Sequence, residues 1–238
     1  MIDADYLLHV YATLDPHAAF HKCSSLFPFL TDVSFLADDP HTSKSVSSNG
    51  EVIAFRKPCS TRSSLMDWFR SIENSMNDRL EVEIKEHLNG RYLQENLKLS
   101  KGCQQGRMVA VQAQFWAELL RHIQEAVYQS AAIKGQMLEL CDHISSFSAL
   151  TTAHGTHSDT YYRQNIENLL ILLISQRDLL THLLDQSEVG DSSFALEVSL
   201  KKIWDCDNSS LVIKHAQHRM LYGMKYAGFG ERLVVTPL

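Results

Sequence analysis

Leu65-Met66-Asp67-Trp68-Phe69-Arg70-Ser71-Ile72 opens the run that decides the fold. Continued to Leu88, it places Leu65, Phe69, Ile72, Met76, Leu80, Ile84 and Leu88 at three- or four-residue steps. That spacing lays one apolar stripe along a helix. Lys101-Gly102 and Gly106 break the run. A second stripe passes through Met108, Val111, Phe115, Leu119, Ile123 and Val127 and continues through Met137, Leu140 and Ile144. A third holds Tyr162, Ile166, Leu169, Leu173, Leu180 and Leu184, and Gly190 ends it. Each such helix has one face that must be buried against a neighbour. Burying about ten of these side chains contributes on the order of 15–30 kcal/mol before chain entropy is counted. The expected fold is mainly α: an elongated stack of long helices, with a small β-hairpin inserted and short β-strands near the C-terminus.

Upstream, residues 3–30 read as two helices around Asp15-Pro16. Asp15 suits an N-cap and Pro16 a first helical turn. Val33 to Leu36 and Glu51-Val52-Ile53-Ala54-Phe55 read as two strands. The polar stretch between them ends in Asn49-Gly50, a turn signal, so residues 33–55 are predicted to form a β-hairpin. Downstream, Phe194, Val198 and Trp204 predict a short fourth helix. After Asp207-Asn208 the period becomes two. Tyr222, Met224 and Tyr226 are expected on one face of a strand, with a turn at Gly228 and Gly230.

The chain has 238 residues, 45% of them hydrophobic and 21% charged, with a net charge of −6. That composition is ordinary for a folded protein. It lacks the concentrated basic field that nucleic acid binding requires. The most apolar run, Leu169-Leu170-Ile171-Leu172-Leu173-Ile174, is far shorter than the ~18–20 residues that cross a bilayer. Neither nucleic acid nor membrane is expected as a partner. The first residues, Met1-Ile2-Asp3-Ala4-Asp5, carry acids where a secretion signal has positive charge. Cys23, Cys59, Cys103, Cys141 and Cys206 are scattered and form no C-x-x-C pair, which predicts free thiols.

No constellation announces catalysis. His154/His157 and His215/His218 are i, i+3 pairs, but no third and fourth ligand of known spacing accompanies either. In a strand, i, i+3 positions face opposite sides. Metal binding is not expected at either pair. Cys141, Asp142 and His143 are neighbours only in sequence, because adjacent helix residues do not face each other. Cys141 reads as a packing residue. Glu81/Glu83 and Asp38/Asp39 read as solvated acids. Trp68, Trp116 and Trp204 read as core anchors. Neither G-x-x-x-x-G-K-[ST] nor G-x-G-x-x-G occurs. No catalytic residue is expected, and no bound cofactor.

A resemblance extends the reading. Leu7-Leu8 through Asp15-Pro16, and His21-Lys22-Cys23, resemble linker helices of dynein heavy chains. Ser47-Ser48-Asn49-Gly50-Glu51-Val52 resembles their Ser-Ser-Glu-Gly-Glu turn. Asp67-Trp68-Phe69, Gln112 to Trp116 and Gln176-Arg177-Asp178 resemble successive linker helices. Phe194 to Trp204 resembles the Phe-x-Trp-x-x-x-Leu-Arg-Tyr-Tyr-Trp segment, and Leu233 to Leu238 the entry into the first AAA+ module. The matches follow one order along nearly the whole chain. Leu196, Lys202 and Met224-Lys225 depart from the usual Trp, Tyr and Tyr-Glu, so the chain resembles a divergent member.

The resemblance implies that residues 1–188 are a linker-like helical region and 189–238 its junction with the AAA+ ring. It implies a fragment of an ATP-driven microtubule motor, with the phosphate loop, ATP and magnesium in the parent chain. Val235, Thr236, Pro237 and Leu238 would lie on the adenine side of bound nucleotide. The same residues read equally as an edge strand closed by a proline. Implied partners are the rest of the ring, dynein intermediate, light-intermediate or light chains, and microtubules. The implied setting is cytoplasm and cytoskeleton, including the ciliary axoneme. The other reading is a non-motor helical scaffold that keeps the linker fold.

Overall fold

The computed structural model describes residues 14–48, 50–62, 64–88, 103–125, 129–153, 160–185 and 194–228. Within them the chain is mainly α, with two small antiparallel sheets. It divides into two compact units. The first comprises residues 1–86, 99–107 and 224–230, and the second the remainder.

In the first unit, helix α1 (Pro16–Lys22) begins as its sequence demands. Asp15 Oδ1 accepts the Ala18 N–H at 2.9 Å and proline occupies the first turn. Strands β1 (Asp32–Phe35), β2 (Thr42–Ser48) and β3 (Glu51–Ser60) form a meander in the order β1-β2-β3. Val33, Val46 and Ile53 sit opposite one another across the three strands, and all are buried. This row fixes the register, because a one-residue slip would turn it to solvent. The predicted hairpin is therefore a three-stranded sheet, and its last strand continues five residues past Phe55. Pro58 lies in β3, an edge strand where a missing N–H is tolerated.

Helix α2 (Leu65–Leu88) follows the predicted stripe. Ser64 caps it by accepting the Asp67 N–H at 3.1 Å, while its hydroxyl donates to Asp67 Oδ2 at 2.6 Å. Leu65, Phe69, Ile72, Met76, Leu80 and Ile84 are buried. Trp68 is fully buried and stacks on Phe69, with centroids 5.0 Å apart. Its indole N–H donates to Ser43 Oγ at 3.1 Å, and the Ser43 hydroxyl donates to the Cys59 carbonyl at 3.0 Å. The sheet and α2 are thereby joined through one satisfied polar chain.

Helix α3 (Gln104–Gln124) starts before Gly106. That glycine lies inside the helix instead of breaking it. Residues 104–107 belong to the first unit and the rest of α3 to the second. The stripe read as one run from Met108 to Ile144 is carried by two helices, α3 and α4 (Gln129–Ala153). Helix α5 (Thr160–Asp185) pairs with α4, burying Ile133, Leu140 and Phe147 together with Ile166, Leu173 and Leu180. Trp116 is also buried. Among the described residues, no helix is long and apolar enough to cross a membrane.

The short helix predicted around Phe194 and Val198 is α6, which spans only Phe194–Glu197. Trp204 lies instead in strand β4 (Lys201–Asp205), which pairs with β5 (Ser210–His215) and then β6 (His218–Leu221). Ile203 and Trp204 favour a strand, and the Leu211-Val212-Ile213 run supplies its partner. Residues 222–228 form no ladder. Met224 takes φ 44, which ends the alternation predicted through Tyr226.

Candidate functional site

The polar centre of the first unit is Glu51, 1% exposed. It is placed by the β2–β3 turn, where Ser48 pairs with Glu51 and Gly50 adopts φ 88. A side chain there would be strained, so glycine suits the position. Along β3, Glu51 and Ile53 share the inward face. Glu51 Oε1 accepts the backbone N–H of Gln104, the first residue of α3, at 2.6 Å. Glu51 Oε2 accepts the Tyr226 hydroxyl at 2.8 Å. One carboxylate thus joins a strand, a helix start and the extended stretch that contains Tyr226. Its position at the beginning of α3 also complements the helix dipole.

Tyr226 is held on every side within this unit. Its N–H donates to Asn77 Oδ1 at 2.9 Å. Gln105 brackets it, with Nε2 donating to the Lys225 carbonyl at 2.8 Å and Oε1 accepting the Ala227 N–H at 2.9 Å. The Phe29 ring meets the Tyr226 ring edge-on at 5.5 Å. Beside Tyr226 lies an open cavity of about 520 Å³, walled by Phe27, Phe29, Phe69 and Met76.

Burial pushes the Glu51 carboxyl up to about 7, against the pull of the Tyr226 and Gln104 donors and the charge of buried Arg107. Glu83 adds a second buried carboxylate, ion-paired to Arg79. The Cys103 thiol is pushed up by its own burial and by these two carboxylates. A thiol held protonated is a poor nucleophile. The cluster therefore fastens three segments together; it does not present a nucleophile to solvent.

The motifs singled out in the sequence fall in several places. Val235, Thr236, Pro237 and Leu238 lie outside the described residues, as do His154 and His157. His215 and His218 do not face opposite sides. They flank the Ala216-Gln217 turn and pair directly across β5 and β6. Glu83 is buried, whereas Glu81 stays half exposed beside Lys85 Nζ at 2.6 Å. Asp39 is not merely solvated. It accepts the Thr42 hydroxyl and the His41 N–H, and these bonds hold its carboxyl below the usual range. All five cysteines are free. Sequence reasoning missed Glu51, Gln104 and Tyr226 as a set. The available signal was a carboxylate alternating with Ile53 on a strand's apolar face. It also missed His17, His21 and Asp32, whose ligand atoms lie within 4.8 Å of one another.

No family model matches the chain. Similar proteins nevertheless run along its whole length. Dynein axonemal heavy chain 10 of Homo sapiens is 24% identical over 246 residues, covering 100% of this chain and 5% of the relative. Dynein-1-beta heavy chain of the flagellar inner arm I1 complex of Chlamydomonas reinhardtii is 24% identical, covering 81% of this chain and 4% of its own length. The cytoplasmic dynein heavy chain of Dictyostelium discoideum is 25% identical over 208 residues, again 81% of this chain and 4% of the relative. This chain is related to the dynein heavy chains. It spans about 5% of the length of such curated relatives. In this dynein heavy chain relative, the turn that resembles Ser-Ser-Glu-Gly-Glu is the one that delivers Glu51 to Gln104 and Tyr226.

Proposed function

We propose that the chain is the C-terminal part of a dynein-type linker, with the start of its junction to the first AAA+ module. It acts as a mechanical element and has no ATP-hydrolysing site of its own. The observation that carries this is the anchoring of residues 225–227, through Tyr226, Asn77 and Gln105, to a buried carboxylate in a unit otherwise built from residues 1–86 and 99–107. A linker has to hold its ring-proximal segment without slack, because a lever transmits displacement only as far as its joints resist bending. The long buried stripes of α2 and α5 support the same reading. The similarity to dynein heavy chains along the chain supplies the context.

On this reading Val235 to Leu238 approach the adenine of a nucleotide whose phosphates and magnesium are held by the parent chain. The setting is cytoskeletal or axonemal, and the working partners are the ring, the associated dynein chains and microtubules. A second reading, a non-motor scaffold with the linker fold, is favoured by Lys202 and Lys225. These put cations where the family usually has Tyr and Glu.

The test is a chimera in which this chain replaces the matching segment of a dynein heavy chain. Nucleotide-dependent displacement between a label on the segment and one on the ring supports the lever. A ring that hydrolyses ATP while the segment stays still favours the scaffold. Hydrolysis of ATP by the 238-residue chain alone would overturn both.

A further inference from the structure

We propose that His17, His21 and Asp32 form a binding site for a divalent d-block cation of the zinc type. His17 and His21 are four residues apart on α1, so both imidazoles project from one helical face. Asp32 opens β1 beneath them. Asp32 Oδ1 lies 3.1 Å from His17 Nε2 and 3.6 Å from His21 Nε2. Two ligands of a tetrahedral zinc, each bonded at about 2.0–2.1 Å, stand about 3.3 Å apart. The two observed separations bracket that value.

The hydrogen-bond inventory points the same way. A carboxylate oxygen has two lone pairs. One on Asp32 Oδ1 already accepts the Val33 N–H at 2.7 Å. Both histidines converge on this same atom, so separate hydrogen bonds from each would require three acceptor positions. One cation bonded to both imidazoles and to the remaining carboxylate electrons satisfies all three groups. The His17 ring also packs against Phe35 at 6.1 Å, and the His21 ring lies beside it at 5.1 Å. Two nitrogen donors and one carboxylate select zinc, cobalt or nickel over calcium and magnesium, which prefer oxygen. The three side chains are about half exposed, leaving water to complete the coordination shell. A bound cation would clasp α1 to β1.

The experiment uses tag-free, chelator-stripped protein titrated with cobalt(II) chloride and read by visible absorption, then challenged with zinc chloride. One equivalent should bind with a low-symmetry cobalt spectrum that zinc abolishes. The His17→Gln/His21→Gln variant keeps every other histidine and should bind at least about 100-fold more weakly. Asp32→Asn preserves an acceptor for the Val33 N–H and should weaken binding about tenfold or more. Far-UV circular dichroism establishes that the variants are folded. Zinc should raise the melting temperature of the parent chain and not of the double variant. No cobalt spectrum in the parent chain, or one of equal strength in the double variant, reduces the three groups to an ion-pair cluster and overturns the site.

Discussion

Gly106 lies directly against Glu83: a Cβ placed on Gly106 would come 2.8 Å from the Glu83 Cβ. The backbones of α2 and α3 approach this closely because one of them carries no side chain. Gly106→Ala adds helix propensity worth about 1 kcal/mol but overpacks a buried contact, which costs about 1–3 kcal/mol. The expected net result in urea unfolding is destabilisation. Gly135, within α4, is the internal control, because nothing lies within 4 Å of the same added atom. Gly135→Ala should stabilise by up to about 1 kcal/mol. If both glycines respond alike, the close contact at Gly106 has no energetic consequence.

Tyr226→Phe removes one hydroxyl from a buried carboxylate while leaving the ring against Phe29. A hydrogen bond to a charged, buried acceptor is worth about 1.5–3 kcal/mol. The loss should appear in chemical denaturation above the Glu51 transition. It should largely vanish in a Glu51→Gln background, because the two residues share one interaction. Full additivity of the two substitutions counts against the junction.

The protonation of Glu51 sets a pH dependence with a definite sign. Its folded-state value is raised from the ordinary 4.5 to about 7. The folded chain therefore binds more protons than the unfolded chain between those limits. Its contribution is fully present below the unfolded value and is lost as pH rises through the folded one. The loss is on the order of 3 kcal/mol. The difference in stability between the parent chain and Glu51→Gln, followed from pH 4 to 8, isolates this slope. A difference that stays flat, or that favours the parent chain at high pH, disproves the assignment.

Thiol accessibility offers a rapid check on the packing. Cys206, exposed beyond β4, should react at once with an aromatic disulfide reagent. Cys103 and Cys59 are buried, and burial pushes both thiols up. They should label only as fast as the first unit opens. Prompt labelling of Cys103 would mean that the environment around Glu51 is open to solvent.

The helices were legible because their code is local. The α2 stripe from Leu65 to Ile84 is a repeated 3.6-residue signal that no other structure satisfies, and Asp15-Pro16 and Asn49-Gly50 mark their own positions. Trp204 follows the helical Phe194–Val198 spacing closely enough in sequence to be grouped with it, while its pairing with Leu211 depends on residues further along. Gly106 looks like a breaker in sequence because its role is set by Glu83, another segment's residue. The Glu51 junction was hidden for the same reason. Its three contributors come from a turn, a helix start and an unpaired stretch, and only the folded chain brings them together. His17 and His21 carried the local half of their signal, the four-residue spacing, but Asp32 joins them through the sheet.

The Tyr226–Glu51 bond spans 175 residues of sequence. A ribosome adding about 5–20 residues per second takes on the order of ten to thirty-five seconds to cover that interval. Throughout it, the nascent sheet carries an acid on its inner face with no phenol to meet it. The first unit is thus completed only by a residue made after residues 108–223, which belong to the second unit. Until that residue leaves the exit tunnel, the carboxylate has to stay hydrated, and the emerging chain is most exposed to chaperones and to mispairing.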